Sequence, residues 1–243
     1  MLVLRDNPLV GFGIDLTLFF VNKVAIMVKV AFFVDWDNLR KIVHKIKSQS
    51  KRSENTITTF DYNNASHISK LFQSFLGEDE RLYRIFFYTA KPLKDEDIMS
   101  QLRKRADRES YQSYLNSQGE ENKIYNRATT FLDEIVKEDF IALRTGKMQV
   151  RGIVSGGRPD IVQKQVDMLI GLDISEISYN KHADKIMVFS KDTDMIPALK
   201  TARINGLTVA VANFTESSYI AKDIILHSDL VCLQSLYEID QSL

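Results

Sequence analysis

The fold is decided by a stretch that reads Val28-Lys-Val-Ala-Phe-Phe-Val34 and runs directly into Asp35-Trp-Asp-Asn38. Its first seven residues are mostly β-branched or aromatic, which is typical of a strand that is buried on both faces. Strands of this kind belong to parallel sheets covered by helices. The acidic turn that follows places polar side chains at the carboxyl end of the strand, where open parallel sheets bind their ligands.

Downstream of this strand, helical and strand-like patterns alternate along the chain. The helical patterns cover residues 64–76, 95–116, 123–137, 161–178, 194–204 and 217–221. The strand-like patterns cover residues 82–90, 185–190, 207–212 and 230–233. Alternation of this kind predicts right-handed crossovers and a three-layer α/β/α domain with a mainly parallel, Rossmann-like sheet.

Two regions depart from the alternation. Residues 141–154 hold Thr145-Gly-Lys147 between two short apolar stretches, which predicts a hairpin. We interpret residues at about 95–160 as a helical and hairpin insertion within a single domain that covers 27–243. Residues 1–26 are interpreted as an N-terminal extension, either an arm or the product of an upstream translation start. Asp15 and Lys23 interrupt its apolar runs, so these are too short to span a membrane.

The composition is that of a folded protein without membrane segments. Hydrophobic residues make up 44% and charged residues 26%, close to the averages for globular domains. Because 32 basic residues balance 32 acidic ones, a polyanionic partner would have to be held by a local basic surface. The single cysteine, Cys232, excludes an internal disulfide or a zinc knuckle and favours a reducing, cytoplasmic location.

Two acidic turns follow predicted strands of the sheet. Asp35, Asp37 and Asn38 come after the first strand, and Asp192 and Asp194 come after the strand that ends at residue 190. If these strands are neighbours, the side chains converge, and a cluster of carboxylates repels itself unless a cation lies between them. All-oxygen ligands suit Mg²⁺ or Mn²⁺. The alternative is that the same residues cap the helices that follow.

A third acidic element lies within the predicted helix that contains Asp167 and Asp173. At about 100° per residue, Asp173 falls within the apolar stripe of this helix, and Asp167 lies at the edge of the stripe. A carboxylate on an apolar face is costly unless it is paired or bound to a metal. Asp167 is therefore the better ligand candidate, while a hydrogen bond or salt bridge explains Asp173 equally well.

Together these motifs resemble the NYN domain of the LabA/DUF88 group, a branch of the PIN-like nucleases. The resemblance rests on the order of three motifs between about Met27 and Leu233. They are Asp35-Trp-Asp-Asn38, then Gln163-Lys-Gln-Val-Asp167 continuing to Gly171-Leu-Asp173, and finally Ser190-Lys-Asp-Thr-Asp194.

The resemblance implies a PIN-like fold and metal-dependent cleavage of RNA. It assigns the metal-binding carboxylates to Asp35, Asp167, Asp192 and Asp194, with Asn38 as a catalytic neighbour and with Asp37, Asp173 and Ser190 as supporting residues. The cofactor would be Mg²⁺ or Mn²⁺, the partner would be single-stranded or structured RNA, and a homo-oligomer stays open. Trp36, Gln165 and Lys191 depart from the family, which often has a small residue or glycine at these positions.

Basic segments flank the acidic motifs and could hold RNA. Residues 39–53 contain six Lys or Arg and no acid, and residues 144–164 are also rich in basic residues. A basic stretch that includes Arg103 and Lys104 precedes Tyr111 and Tyr114, whose rings could stack on unpaired bases. The predicted substrate contacts are Trp36, Arg103, Lys104, Lys164 and Lys191.

Two other functions fit parts of this pattern. Val34-Asp-Trp-Asp37 also resembles the nucleophile loop of haloacid-dehalogenase-like phosphatases, in which Asp35 would be phosphorylated and Asp37 would act as the acid and base. In the other alternative, the domain is a PIN-like module without activity, and its basic surfaces bind RNA or a protein.

Overall fold

A computed structural model describes residues 27–52, 54–104, 111–112, 114–115, 121–154, 158–217 and 220–243. The predicted extension over residues 1–26 lies outside this range, as does most of the second half of the helix predicted over 95–116.

The described strands form one mainly parallel sheet of seven strands in the order β4-β3-β2-β1-β5-β6-β7. Their bounds are Val28–Asp35 for β1, Glu80–Lys91 for β2, Ile141–Ile153 for β3, Pro159–Lys164 for β4, Lys185–Phe189 for β5, Thr208–Phe214 for β6 and Leu230–Gln234 for β7. The first strand is central, with β2 on one side and β5 on the other, both parallel to it. Only the β3–β4 pair is antiparallel.

Helices cover both faces of the sheet, which confirms the predicted α/β architecture. Their bounds are Trp36–Ser50 for α1, Ala65–Ser74 for α2, Asp95–Leu102 for α3, Glu121–Ile135 for α4, Val166–Tyr179 for α5, Ile196–Ile204 for α6, Lys222–Leu226 for α7 and Leu236–Gln241 for α8. One face packs against α1, α2, α4 and α8, and the other packs against α5 and α6. The strand β1 is buried on both faces because Phe32 belongs to one core cluster and Phe33 to the other.

The hairpin predicted over residues 141–154 is wrong. These residues form the single long strand β3, whose first half pairs parallel with β2 and whose second half pairs antiparallel with β4. Gly146 lies inside this strand because a Cβ there would come within 2.4 Å of the Lys164 carbonyl oxygen. A close approach of two backbones explains this glycine, and the sequence pattern cannot distinguish that from a turn.

The helix predicted over 161–178 begins later than expected. Residues 159–164 form β4, and the helix α5 starts at Val166 after Gln165, which has a left-handed backbone with φ of 74°. A non-glycine residue in this region is strained. The strain occurs one residue before α5, and Asp167 lies in the first turn of that helix.

At the amino ends of the strands, several charged groups have partners, and one pair of them is buried. Lys185 and Glu80 form an ion pair of 2.7 Å with only 7% and 15% of their side chains exposed. Asp184 accepts a hydrogen bond from the Lys29 backbone N–H. Asp229 accepts one from the Val209 N–H and also pairs with Arg203. These contacts fix the register of β1, β5 and β6 at this edge of the sheet.

Candidate active site

Asp35 is the last residue of β1 and also the N-cap of α1. Its Oδ1 accepts a hydrogen bond of 3.2 Å from the Asn38 N–H, so the predicted capping role is real. The residue is buried at 6% exposure. Burial and the charges of Asp167, Asp37 and Asp192 together raise the pKa of this carboxyl to about 6, against the opposing effect of the cap bond.

The exit of β5 is tied to the first turn of α1. Because β5 lies directly beside β1, with Phe189 opposite Val34, Ser190 follows at the level of Asp35. The Asn38 Oδ1 accepts a hydrogen bond of 3.3 Å from the Lys191 N–H. Ser190 is buried and its hydroxyl accepts the Asp192 N–H. These bonds bring the two predicted acidic turns to one place.

Asp192 caps a short 3-10 turn over Thr193–Met195 by accepting the Asp194 N–H at 3.0 Å. This cap uses its Oδ1, just as the cap at Asp35 uses that residue's Oδ1. In each residue the Oδ2 takes part in no hydrogen bond between residues that the structure describes. Capping and metal binding are therefore compatible at both positions, because each function uses a different oxygen.

Asp167 joins these acids from the start of α5. Partial burial raises the pKa of its carboxyl, and the charges of Asp192 and Asp194 add to the increase. The carboxylates of Asp35 and Asp167 also repel each other, since the Asp167 charge contributes to the raised pKa of Asp35. We call Asp35, Asp167, Asp192 and Asp194 the acidic cluster.

The acidic cluster has the donor chemistry of a hard-cation site. It offers carboxylate oxygens and has an excess of negative charge that a divalent cation would relieve. Within the described part of the chain, no three His, Cys, Asp or Glu side chains lie close enough together to hold one ion. A cation would therefore have to draw the carboxylates inward by rotation of their side chains, with Asp35, Asp167, Asp192 and Asp194 as its ligands.

Trp36 is mostly buried, and its predicted contact with a base stays a prediction. Its side chain is 6% exposed and belongs to the core. The indole stacks on Phe131 of α4 at 4.9 Å between ring centroids and also contacts Phe87 of β2. The tryptophan therefore fixes α4 against the sheet, and its remaining exposed surface lines a cleft between α1, α4 and the sheet.

The two predicted supporting acids Asp37 and Asp173 have partners of their own. Burial alone would raise the pKa of Asp37, but hydrogen bonds from Lys41 and Arg40 bring it below its ordinary value. Asp173 pairs with Arg144 at 3.0 Å and accepts a hydrogen bond of 2.7 Å from the Tyr88 hydroxyl. The salt-bridge explanation for Asp173 is therefore the correct one, and Asp37, although paired, still contributes to the raised pKa of Asp35.

The predicted substrate cations occupy different positions. The Lys191 ammonium donates a hydrogen bond of 2.6 Å to the Ser217 hydroxyl, and burial together with the Lys45 charge lowers the pKa of Lys191. Lys164 is exposed at the end of β4, close in sequence to Asp167. Arg103 and Lys104 are exposed after α3, and the Arg103 guanidinium bonds to and stacks on Tyr111. Lys191 directly precedes Asp192, and Lys164 lies three residues before Asp167. Within the described ranges, no hydrogen bond or ion pair joins Arg103 or Lys104 to the acidic cluster.

A cleft beside the acidic cluster contains residues that the sequence did not single out. Gln163 of β4, Arg127 of α4 and Arg158 line it. Gln163 is part of the motif that carries the family resemblance, but a strand amide in a single sequence has no signal of function. Arg127 lies outside every motif, and only the packing of α4 against the sheet brings it to this edge.

The mainly parallel sheet, with helices on both faces and acids at the carboxyl ends of its central strands, is consistent with a PIN-like fold. The sequence matches the NYN domain family over residues 29–229, and the chain belongs to that family.

Other comparisons add little to this assignment. A solved structure that resembles the fold is a protein of unknown function, VPA0982, from Vibrio parahaemolyticus. The two are 14% identical, with a TM-score of 0.44, over 87% of this chain and 96% of the other. No curated protein is significantly similar to the chain. None of the helices in the described ranges is long and apolar enough to cross a membrane.

Proposed function

We propose that this protein is a metal-dependent ribonuclease that hydrolyses phosphodiester bonds of RNA at the acidic cluster and leaves a 5′-phosphate and a 3′-hydroxyl. The observation that carries the proposal is the convergence of Asp35, Asp167, Asp192 and Asp194 without a cationic partner in their ion pairs or hydrogen bonds among the described residues. Membership of the NYN family, whose domains are generally nucleases, supports it.

A Mg²⁺ or Mn²⁺ ion held by the acidic cluster would activate a water molecule and stabilise the charge that develops on the phosphate. The protein's own residues prepare the site for it. With a pKa of about 6, Asp35 is mostly ionised at neutral pH and can act as a ligand. Its bond from the Asn38 N–H orients the carboxylate, and Asn38 in turn holds the Lys191 backbone. The Lys191 ammonium, which donates to the Ser217 hydroxyl, would bind a phosphate oxygen of the RNA.

The test is cleavage of labelled single-stranded and hairpin RNA in Mg²⁺, Mn²⁺ or EDTA. We expect cleavage with either metal, none in EDTA, and a loss of about 100-fold or more in Asp35→Asn, because a metal site supplies several kcal/mol of transition-state stabilisation. Asp97→Asn, which changes an exposed acid of α3, is the control and should keep full activity.

Melting curves test the metal site independently of activity. We expect Mg²⁺ to raise the midpoint of the wild type, and Asp35→Asn, Asp167→Asn and Asp192→Asn to reduce that rise. If the rise survives all three substitutions, the acidic cluster is not the metal site.

A non-catalytic RNA-binding module is the second candidate, and it is favoured by the cap bonds that Asp35 and Asp192 both make. RNA binding that is unaffected by EDTA, with no cleavage over a broad set of RNAs, would establish this function instead. The phosphatase alternative has less support because the chain belongs to the NYN family. Stable labelling of Asp35 by a phosphate analogue such as beryllium fluoride would revive it.

A further inference from the structure

The described surface has a cleft next to the acidic cluster, between α1, α4 and the β3–β4 pair. It consists of two adjoining volumes of about 330 Å³ and 450 Å³. Both are lined by Asp37 of α1, Ile124 of α4, Met148 of β3 and Gln163 of β4. Thr89 lines the first volume and follows Tyr88, the residue paired with Asp35 between β1 and β2, so the cleft lies at the same end of β1 as the acidic cluster. We call it the Gln163 cleft.

Gln163 has a buried acceptor without a partner among the described residues. Its side-chain Oε1 is inaccessible to solvent and accepts no hydrogen bond from that part of the chain. A buried polar atom without a partner costs about 1–3 kcal/mol, and most such atoms in folded proteins are satisfied. The residue lines both volumes of the cleft, so a rotation of its side-chain amide would turn this oxygen into the cleft, where an N–H donor of a ligand would remove the cost.

The walls of the cleft suit a flat ring attached to a phosphate chain. Ile124, Met148 and Pro92 supply apolar surface, and the Ile124 side chain is 60% exposed despite its hydrophobicity. Arg127 and Arg158 are exposed at the rim, and neither forms an ion pair with a residue that the structure describes.

The one acid in the cleft does not repel a phosphate strongly. Asp37 is paired with Arg40 at 2.9 Å and with Lys41 at 2.6 Å. The cleft as a whole therefore combines a positive rim, apolar walls and one unsatisfied acceptor at depth. Apolar walls with a few convergent polar groups are the usual features of a small-ligand pocket, and unpaired bases of RNA bind in this way, by stacking and by hydrogen bonds to their edges.

We infer that the Gln163 cleft binds one unpaired nucleobase of the RNA strand, next to the phosphate that is cut, with Gln163 Oε1 accepting a hydrogen bond from an N–H of the base edge. This inference rests on the proposed ribonuclease function. Arg127 and Arg158 bind the phosphates on either side of that base. A duplex cannot use the cleft because its base edges are already paired, so the protein selects RNA that is single-stranded at this point.

The experiment measures binding separately from cleavage. In the Asp35→Asn background, the affinity for a fluorescent 12-nucleotide RNA is compared with that for a series in which each base in turn is removed to leave an abasic site. We expect one abasic position to weaken binding about 10-fold, since a stacked base contributes roughly 1–3 kcal/mol. Gln163→Leu should weaken binding of the intact RNA by a similar factor and should lose the response to that abasic position.

Two controls separate ligand binding from folding. Gln73→Leu makes the same change on an exposed residue near the end of α2, and it should leave binding unchanged. The melting midpoint of Gln163→Leu should be equal to or higher than that of the wild type, because the variant removes an unsatisfied buried acceptor. A large fall in this midpoint with unchanged affinity would assign Gln163 to the core and overturn the inference.

Cleavage by the wild type is measured in parallel. If it cleaves RNA but the abasic series gives a flat profile, or Gln163→Leu binds like the wild type, the nucleobase site is wrong and the ribonuclease function stands. If neither protein binds or cleaves any RNA, both proposals fail.

Discussion

The charged groups at the amino ends of the strands, which we call the amino edge, are compensated by partners, whereas those at the carboxyl ends, the carboxyl edge, are less well compensated. At the amino edge, Lys185 has Glu80 as its partner, and Asp184 and Asp229 accept backbone hydrogen bonds. At the carboxyl edge, Asp35 is just as buried, but its nearest charges are other carboxylates. This contrast in charge compensation supports the proposed cation site at the carboxyl ends of the strands.

The largest expected effect comes from breaking the ion pair between Lys185 and Glu80 at the amino edge. Lys185→Met leaves the Glu80 carboxylate buried without its partner, so the free energy of unfolding should fall by about 3–5 kcal/mol. Urea unfolding measures the loss. The double variant Lys185→Met/Glu80→Gln should recover most of it, because it removes the uncompensated charge. If the single variant is as stable as the wild type, the pair does not fix this edge.

At the carboxyl edge, removing a charge should instead raise the free energy of unfolding. The folded-state pKa of Asp35 is about 6, above the ordinary value of 3.8. The folded protein therefore keeps a proton that the unfolded chain loses between these values, and this residue reduces stability as pH rises through that window. Asp35→Asn should match the wild type near pH 4 and exceed it by roughly 1–3 kcal/mol at pH 7.

The comparison uses urea unfolding in EDTA at several pH values between 4 and 7, with Asp97→Asn as the control. Saturating Mg²⁺ should close the gap at pH 7, because the cation stabilises only the intact cluster. A gap that is the same at every pH would mean that the Asp35 carboxyl is ionised in both states.

Asp192 allows capping to be separated from metal binding. Asp192→Ala should lower the free energy of unfolding in EDTA by about 0.5–2 kcal/mol, because the Asp194 N–H loses its acceptor. Asp192→Asn keeps a good cap and should retain that stability while losing the response to Mg²⁺. Equal responses to Mg²⁺ in Asp192→Asn and the wild type would limit this residue to capping.

The smallest effect concerns the backbone before α5. Gln165→Gly should raise the free energy of unfolding by up to about 1 kcal/mol, because glycine adopts a positive φ without steric cost. Gln165→Ala is the matched control and should give no gain, since alanine has the same restriction as glutamine. Thermal melting in EDTA distinguishes the two variants.

The sequence predicted the central strands of the sheet better than the strand β3 and its pairing with β4. The apolar run of Val28–Val34 could form only a buried strand, and the acidic turns after β1 and β5 follow from it. The strand β3 was wrongly predicted to be a hairpin. Its two halves pair with different strands, β2 and β4, and a local sequence pattern does not reveal such pairing.

The partners of the side chains at the site could also not be predicted from the sequence. Trp36 adjoins Asp35 in the chain, but it turns into the core against Phe131, a residue 95 positions away. The Arg144 partner of Asp173 comes from β3. Such contacts depend on how distant elements pack, whereas the acidic residues themselves were visible from their positions after strands.

The central position of β1 also has a consequence for protein synthesis. Asn38 and the Lys191 backbone that it holds are 153 residues apart in the chain. Chains grow at roughly 5–20 residues per second and fold from the amino terminus, so about 8–30 s pass between the synthesis of these two residues. During that interval the nascent chain carries Asp35 without Asp192 and has no complete site. The proposed ribonuclease is therefore inactive toward the messenger being translated until the second half of its sheet has been made.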